Sequence, residues 1–352
     1  MRLLTWLIFL AHWGGARAEP GKFWHITDLH LDPDHKVPKY PFQVCPSAGF
    51  QSVPNAGPWG DYLCDSPWAL INSSIYKLGE AAVLEIVKCL TKLIREVFLG
   101  AFYSEKLPGP SGAGQIVVNE LTADMVGPGQ QFQWLEDVLT NASKAGDMVY
   151  IVGHVPPGFF EKTQNKAWFQ EGFNEKYLKV VWKHGRVIAG QFFRHHHTDS
   201  FRMLYDDAGA PISAMFITPG VTPWKTTLPG VINGANNPVI RPAYPKPFLQ
   251  DMVTYFMNLS QANAQGMRRW ELEYQLTKAY WVPHASAHSL QAVLDRITGD
   301  QGALQHYYLY NSVSYYAGVC EEAARVEVAA YTTCLYLPLL LMALLGLCTL
   351  VL

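Results

Sequence analysis

Three apolar runs, far apart in the chain, each end in side chains that bind metals, and this pattern constrains the fold more than any other feature. The most telling stretch is Gly190-Gln191-Phe192-Phe193-Arg194-His195-His196-His197-Thr198-Asp199, directly after Val187-Ile188-Ala189. Residues at the end of a strand alternate sides, so His195 and His197 are expected on one face and His196 on the other. The second run is Phe23-Trp24-His25-Ile26-Thr27, with Asp28-Leu29-His30 at its carboxyl end. The third is Met148-Val149-Tyr150-Ile151-Val152, followed by Gly153-His154-Val155-Pro156-Pro157. Each pattern alone is unremarkable: an N-cap aspartate, a solvated histidine, a satisfied histidine after a glycine turn. All three together, each after an apolar run, read as one metal site at the carboxyl ends of strands, where open α/β sheets place their ligands.

The segments between the runs fix the fold class. A helical stripe runs from Leu78 to Phe98, a second helix from about Gln130 to Lys144 with Phe132, Leu135, Val138 and Leu139 inward, and a third from Asn174 to His184. Short strands are expected at Gln115 to Asn119, Arg186 to Gly190, Phe201 to Tyr205 and Ile212 to Thr218. Helix and strand alternating in this way give a layered α/β fold. Further on, Tyr255, Met257, Leu272, Tyr274, Leu276, Leu290, Leu294 and Ile297 suggest helices. With 352 residues and 49% hydrophobic content there is ample core, and a net charge of -2 gives no reason to expect a nucleic-acid polymer as partner.

Both ends read as processing signals. Residues 1–18 carry Arg2, an apolar run from Leu3 to Trp13, and Ala16-Arg17-Ala18, the small-x-small pattern of a cleaved leader, so the mature chain is expected to begin near Glu19 and to be exported. Sequons at Asn72, Asn141 and Asn258 agree with export. Residues 335–352 are almost wholly apolar, with small residues such as Ala329 and Ala330 before them; this favours a glycolipid-anchor signal over a retained spanning helix, although the polar spacer is short. The cell-exterior location expected is therefore secreted or held on the outer membrane surface. An oxidising compartment makes cysteine pairing expected, and Cys45 with Cys64 would staple the Pro- and Gly-rich loop between them. The chain divides into a leader (1–18), a catalytic domain (19–250), a C-terminal helical and disulfide region (251–334) and the tail (335–352).

The three motifs closely resemble those of the calcineurin-like metallophosphoesterases, and within them the acid-sphingomyelinase-like phosphodiesterases, nearest the membrane-anchored branch. That resemblance implies two mixed sheets packed as a sandwich and flanked by helices. It implies two zinc ions, one held by Asp28, His30 and His197 and the other by His154 and His195. The implied reaction is hydrolysis of a phosphodiester, sphingolipid-derived or nucleotide-like, by water that the two metals activate. His25 would help position or protonate the leaving oxygen, and Asp199 would hold the second nitrogen of a histidine.

The sequence also departs from the family pattern. The family's bridging Gly-Asp and its Gly-Asn-His have no counterpart: Gly-Asn-His does not occur, and Gly60-Asp61, Gly146-Asp147 and Gly299-Asp300 stand in the wrong places. The resemblance breaks at Lys77/Leu78, again near Phe98 to Ala101, and is shortened around Asn119-Glu120, as in an exon-skipped form or a mistaken gene model, with central strands missing. Arg194 stands where the family has glycine, adding bulk and positive charge beside the site. A single zinc on Asp28, His30 and His197 remains feasible, whereas a dinuclear centre is not expected to form. The reading is thus a zinc phosphodiesterase with impaired activity, with a non-catalytic surface glycoprotein that binds lipid or modulates a membrane receptor as the alternative. A serine hydrolase is disfavoured, because no Gly-x-Ser-x-Gly elbow is present.

Overall fold

The computed structural model describes residues 8–11, 23–37, 40–78, 103–106, 114–118, 130–160, 168–169, 171–225, 235–244 and 248–315. The helix expected over Leu78 to Phe98, the breaks near Phe98 and Asn119, Cys89, Cys320 and the tail 335–352 lie outside the described residues, apart from Leu78 itself.

In chain order the elements are β1 (Ile8–Ala11), β2 (Phe23–Ile26), α1 (Trp68–Leu78), β3 (Tyr103–Lys106), β4 (Gly114–Val118), α2 (Gln131–Ala145), β5 (Val149–Gly153) and α3 (Glu171–His184). There follow β6 (Ile188–Phe193), β7 (Ser200–Tyr205), β8 (Pro211–Ile217), β9 (Val239–Tyr244), β10 (Asp251–Phe256), α4 (Leu259–Gln265), β11 (Glu271–Gln275), α5 (Leu276–Ala279), α6 (Ala287–Gly299) and α7 (Gln301–Asn311). The first sheet runs β1-β2-β9-β10-β11, antiparallel throughout; the second runs β3-β4-β5-β6-β8-β7. Its middle strands β4, β5, β6 and β8 are parallel, with antiparallel β3 and β7 at the edges. Parallel neighbours need a crossover, and α3 supplies the one between β5 and β6.

Strand alternation decides which side chains fill which layer. Phe23 of β2 joins Tyr150, Val152, Phe192, Phe216, Met252 and Tyr274 in the core that holds the two sheets together. Trp24 and Ile26, one residue out of step, pack with Leu70 of α1, Val221 and Ile240. On the far side of the second sheet Leu135 and Leu139 of α2 and Phe173, Tyr177 and Val181 of α3 cover Ile151, Phe193 and Ile217. The molecule is therefore a mixed α/β sandwich of two sheets flanked by helices. The α2 stripe read from the sequence is the buried one, and Gly146, at φ 70, ends that helix by donating its N–H to the Ala142 and Ser143 carbonyls.

Beyond residue 250 the structure corrects the expectation of helices. Tyr255 lies in β10, and Leu272 and Tyr274 lie in β11, both continuing the sheet that carries β2. β-branched and aromatic neighbours such as Val253 and Thr254 suit a strand that gains β9 as a partner, and that pairing outweighs the four-residue spacing. Leu290, Leu294 and Ile297 are helical, in α6.

The long loop from Leu31 to Asp65 is closed by a Cys45–Cys64 disulfide around a small core of Val44, Ala48 and Val53. Of the sequons, Asn141 is exposed on α2, Asn72 is half-buried in α1, and Asn258 caps α4 by accepting from the Gln261 N–H at 3.0 Å. A disulfide closing a loop of sequence separation 19 contributes about 3 kcal/mol. Cys45→Ala/Cys64→Ala is accordingly expected to lower unfolding free energy by about that amount in a urea titration, with the m-value somewhat raised because the unfolded chain is no longer cross-linked.

Candidate metal centre

Both sheets deliver ligands to one point. Asp28 and His30 follow β2, His154 follows β5, and His195 and His197 follow β6. The Asp28 carboxylate is fully buried, and around its Oδ1 stand His30 Nε2 at 3.7 Å, His197 Nε2 at 3.8 Å and His154 Nδ1 at 3.8 Å. His195 closes the group, with Nδ1 3.1 Å from His154 Nε2 and its backbone N–H 3.5 Å from Asp28 Oδ2. All five side chains read from the sequence as ligands are thus brought together, three loops contributing.

These separations fit a cation. Asp28 Oδ1 is buried and receives no hydrogen bond. Two atoms each about 2.0–2.2 Å from one tetrahedral zinc stand roughly 3.3–3.6 Å apart, close to the 3.7 and 3.8 Å around Asp28 Oδ1, distances too wide for hydrogen bonds. The ligand atoms of Asp28, His30 and His197 all lie within 4.8 Å of one another.

The backbone differs from the pleated extension expected of these motifs. Asp28, His30, His195 and His197 have φ of 47, 42, 76 and 58°, all in the left-handed region. Their side chains converge because left-handed residues alternate with ordinary ones, not because a strand continues. Each such residue costs about 1 kcal/mol or more, and the surrounding contacts must hold it there. His196, between the two ligands, turns the other way and packs on Phe160 with centroids 4.5 Å apart.

The clamps are identifiable. Thr218-Pro219-Gly220-Val221-Thr222 runs alongside Asp28: Thr27 Oγ1 donates to the Pro219 carbonyl, the Val221 N–H to Thr27, and the Thr222 N–H to Asp28. A Cβ on Gly220 would sit 2.9 Å from Asp28 Cβ, so this approach requires glycine. Arg202 of β7 donates to the Pro157 and Phe159 carbonyls and pins the loop after His154.

Asp199 meets different partners from the histidine expected for it. Its carboxylate pairs with the Arg241 guanidinium and accepts from the Tyr274 hydroxyl at 2.6 Å, linking the β6–β7 loop to β9 and β11. The histidine-orienting role falls to Asp65, whose Oδ1 lies 3.1 Å from His30 Nδ1. Asp65 follows Cys64, and its N–H donates to Ser47 Oγ, so the disulfide loop sets its position. His25 is fully buried between the sheets, bonded through Nδ1 to Thr218 Oγ1 at 2.8 Å and edge-on to Phe192. Arg194 is buried and does not adopt a left-handed φ, so its backbone makes no demand for glycine.

Charge follows this geometry. Burial alone would raise the Asp28 pKa, but the close imidazoles of His197 and His30, and the charge of His154, outweigh it and hold the carboxyl well below its usual range. Burial works against charge on His30, yet Asp28 and Asp65 push it up to about 9. His195 is pushed down to about 3 by burial and then by His154. Burial, then the charges of Arg241 and Arg194, hold His25 well below its ordinary value.

Sequence reading missed Asp65, Gly220 and Arg241. A lone arginine in the apolar run Val239-Ile240-Arg241-Pro242-Ala243 was the available signal, since a buried guanidinium needs a buried carboxylate. Asp65 carried none beyond its place beside a cysteine. Asp65→Asn is expected to weaken divalent-metal affinity about 10- to 100-fold by calorimetry, with the melting temperature little changed.

Comparison with known proteins adds independent information. The family model for the acid sphingomyelin phosphodiesterase C-terminal region matches residues 210–337. The human acid sphingomyelinase-like phosphodiesterase 3b is 66% identical over 455 positions, covering 100% of both chains, and its mouse counterpart is 54% identical over 96% of this chain and 94% of the relative. The human cyclic GMP-AMP phosphodiesterase SMPDL3A is 30% identical over 89% of this chain and 88% of its own. The first alignment has 455 positions and this chain brings 352 residues to it, so over a hundred positions carry no residue here.

Proposed function

The chain belongs to the acid sphingomyelinase-like phosphodiesterases, and from that membership we propose a divalent-metal phosphodiester hydrolase of the cell exterior whose turnover is reduced by the segments it lacks. The observation that carries this reading is the buried Asp28 carboxylate ringed by His30, His154 and His197. Asp28, His30 and His197 would hold one ion, and His154 and His195 are left to hold a second. Zinc suits imidazole and carboxylate donors in this number, and when bound it supplies Lewis acidity toward a phosphoryl oxygen and toward water.

The chain's own residues supply the rest. Asp65 fixes the tautomer and orientation of His30 by holding Nδ1. Asp28 offsets part of the cation's charge. His195, kept neutral by its surroundings, presents a lone pair. His25 is held by Thr218 and fully buried, and its neutral ring supports the segment that runs beside Asp28.

The substrate class is a phosphodiester, either lipid-derived or nucleotide-like, in keeping with what the relatives' names describe. The leader, the exposed Asn141 sequon and the disulfide support export, and the apolar tail supports a lipid anchor on the outer membrane surface. Among the described residues no helix is long and apolar enough to cross a membrane. The second reading, a non-catalytic surface glycoprotein, draws on the absent Gly-Asp and Gly-Asn-His motifs, which leave the second ion with two ligands.

Metal content per chain and turnover of bis(4-nitrophenyl) phosphate separate the two readings. The hydrolase reading expects bound zinc and a slow turnover that a chelator removes and that His154→Ala lowers at least about tenfold. Zinc bound with no turnover, before or after the substitution, would establish the non-catalytic reading.

A further inference from the structure

We propose that the disulfide-braced loop from Leu31 to Asp65 is a membrane-docking element, which rests on a bilayer of zwitterionic lipid and holds the metal centre against it. This rests on the phosphodiesterase reading only for its consequence, access to lipid-borne substrate; the docking itself stands on the loop.

The loop carries an unusual surface. Leu31, Val37, Tyr40, Phe42 and Phe50 are all exposed, Phe50 completely, within twenty residues of chain. Aromatic side chains left in water need a reason, and several of them on one short loop point to an interaction surface. These do not result from a floppy segment. The Cys45–Cys64 bond, the Val44, Ala48 and Val53 core, and backbone bonds from Lys36 N–H to Val44 and from Val53 N–H to Pro41 hold the turns that present them. Rigid turns that project single apolar side chains suit the soft interface of a bilayer, which needs no shaped complement. Asp34 and Lys36 are both exposed beside them, so the loop is no basic patch, and a zwitterionic headgroup layer is the matching surface.

Two connections place the loop between the centre and the membrane. Both its ends are tied to the metal centre: Asp65 bonds His30, the Ser66 N–H donates to the His30 carbonyl, and the Asp32 N–H donates to Ser66. The last described residue is Tyr315, whose ring packs at a tilt against Tyr62 of this loop with centroids 4.4 Å apart. From there residues 316–334 lead to the apolar segment 335–352. A linker of that length, at up to about 3.5 Å per residue, keeps the loop within several tens of Å of any bilayer the tail enters.

Hydroxyl-radical footprinting read by mass spectrometry tests this on the full chain bound to phosphatidylcholine–sphingomyelin vesicles. Oxidation of Tyr40, Phe42 and Phe50 is expected to fall about threefold or more relative to the chain in buffer with free phosphocholine, as apolar tips enter the interface. Met267, Leu272 and Trp281, exposed elsewhere, serve as internal references and should keep their reactivity. Phe42→Ser/Phe50→Ser should restore Tyr40 oxidation on vesicles while zinc content is unchanged. Chain that floats with vesicles while its loop stays as reactive as the references would overturn docking and leave the anchor and hydrolase readings standing. Failure to float at all would overturn docking and anchor together. Loop protection that grows with protein concentration in the absence of vesicles would assign the surface to self-association instead.

Discussion

A carboxylate with no access to water is expensive unless positive or proton-donating groups stand next to it, and in this molecule that carboxylate is Asp28. Its neighbours come from both sheets: His30 from its own loop, His154 and His197 from the ends of β5 and β6. The two sheets must therefore meet at their carboxyl edges in one register, or the charge is stranded. The left-handed backbone at four ligand positions, the glycine contact at Gly220 and the anchoring by Arg202 all serve to keep that meeting point fixed.

A second buried charge pair supports the first from behind. Arg241 and Asp199 join β9 to the loop that carries His195 and His197, with Thr254 and Tyr274 taking further hydrogen bonds. Burial raises Asp199, against the pull of Arg241 and Tyr274. Removing one partner of such a pair typically costs about 3–5 kcal/mol, whereas an apolar replacement of both can be neutral. Its contribution is thus geometric: Arg241 also reaches Thr218, which bonds His25, so the guanidinium spans the two loops that hold Asp28 and His197. The same division of labour explains why Asp199, adjacent in sequence to the histidines, is not their hydrogen-bond partner.

The convergence of the candidate ligands was legible because liganding chemistry is written in residue types at strand ends, and the strands announce themselves by apolar runs. Asp28, His30, His154, His195 and His197 needed no tertiary information to be grouped. The fold class was legible for a related reason: α2 and α3 carry wide apolar stripes, and β5 and β6 are apolar along their length. What escaped was set by partners distant in sequence. Tyr255 and Tyr274 look helical by spacing and become strands because β9 offers pairing. Asp65 gains its role through a disulfide that brings residues 45 and 64 together, and Gly220 through contact with a residue nearly two hundred positions earlier. Even the grouping of His195 with His197 rested on strand alternation, whereas both lie past the end of β6 in the left-handed region.

The outer neighbour of β2 bears on what this chain can become. Phe23–Ile26 is buried on both faces, as suits an interior strand, yet the strand beside it is Ile8–Ala11, paired antiparallel from Ile8 opposite Ile26 to Ala11 opposite Phe23. That segment belongs to the expected leader, and cleavage after Ala18 would strip it away and leave a row of β2 N–H and C=O groups at an open edge. An apolar strand so exposed recruits another strand or aggregates. In this architecture the candidate ligands sit at strand ends, so sheet pairing and the geometry of the centre depend on the same strands. Loss of the strand beside β2 is therefore felt twice, once as an unpaired edge and once as a looser hold on Asp28 at the end of β2, which couples stability to the geometry of the centre.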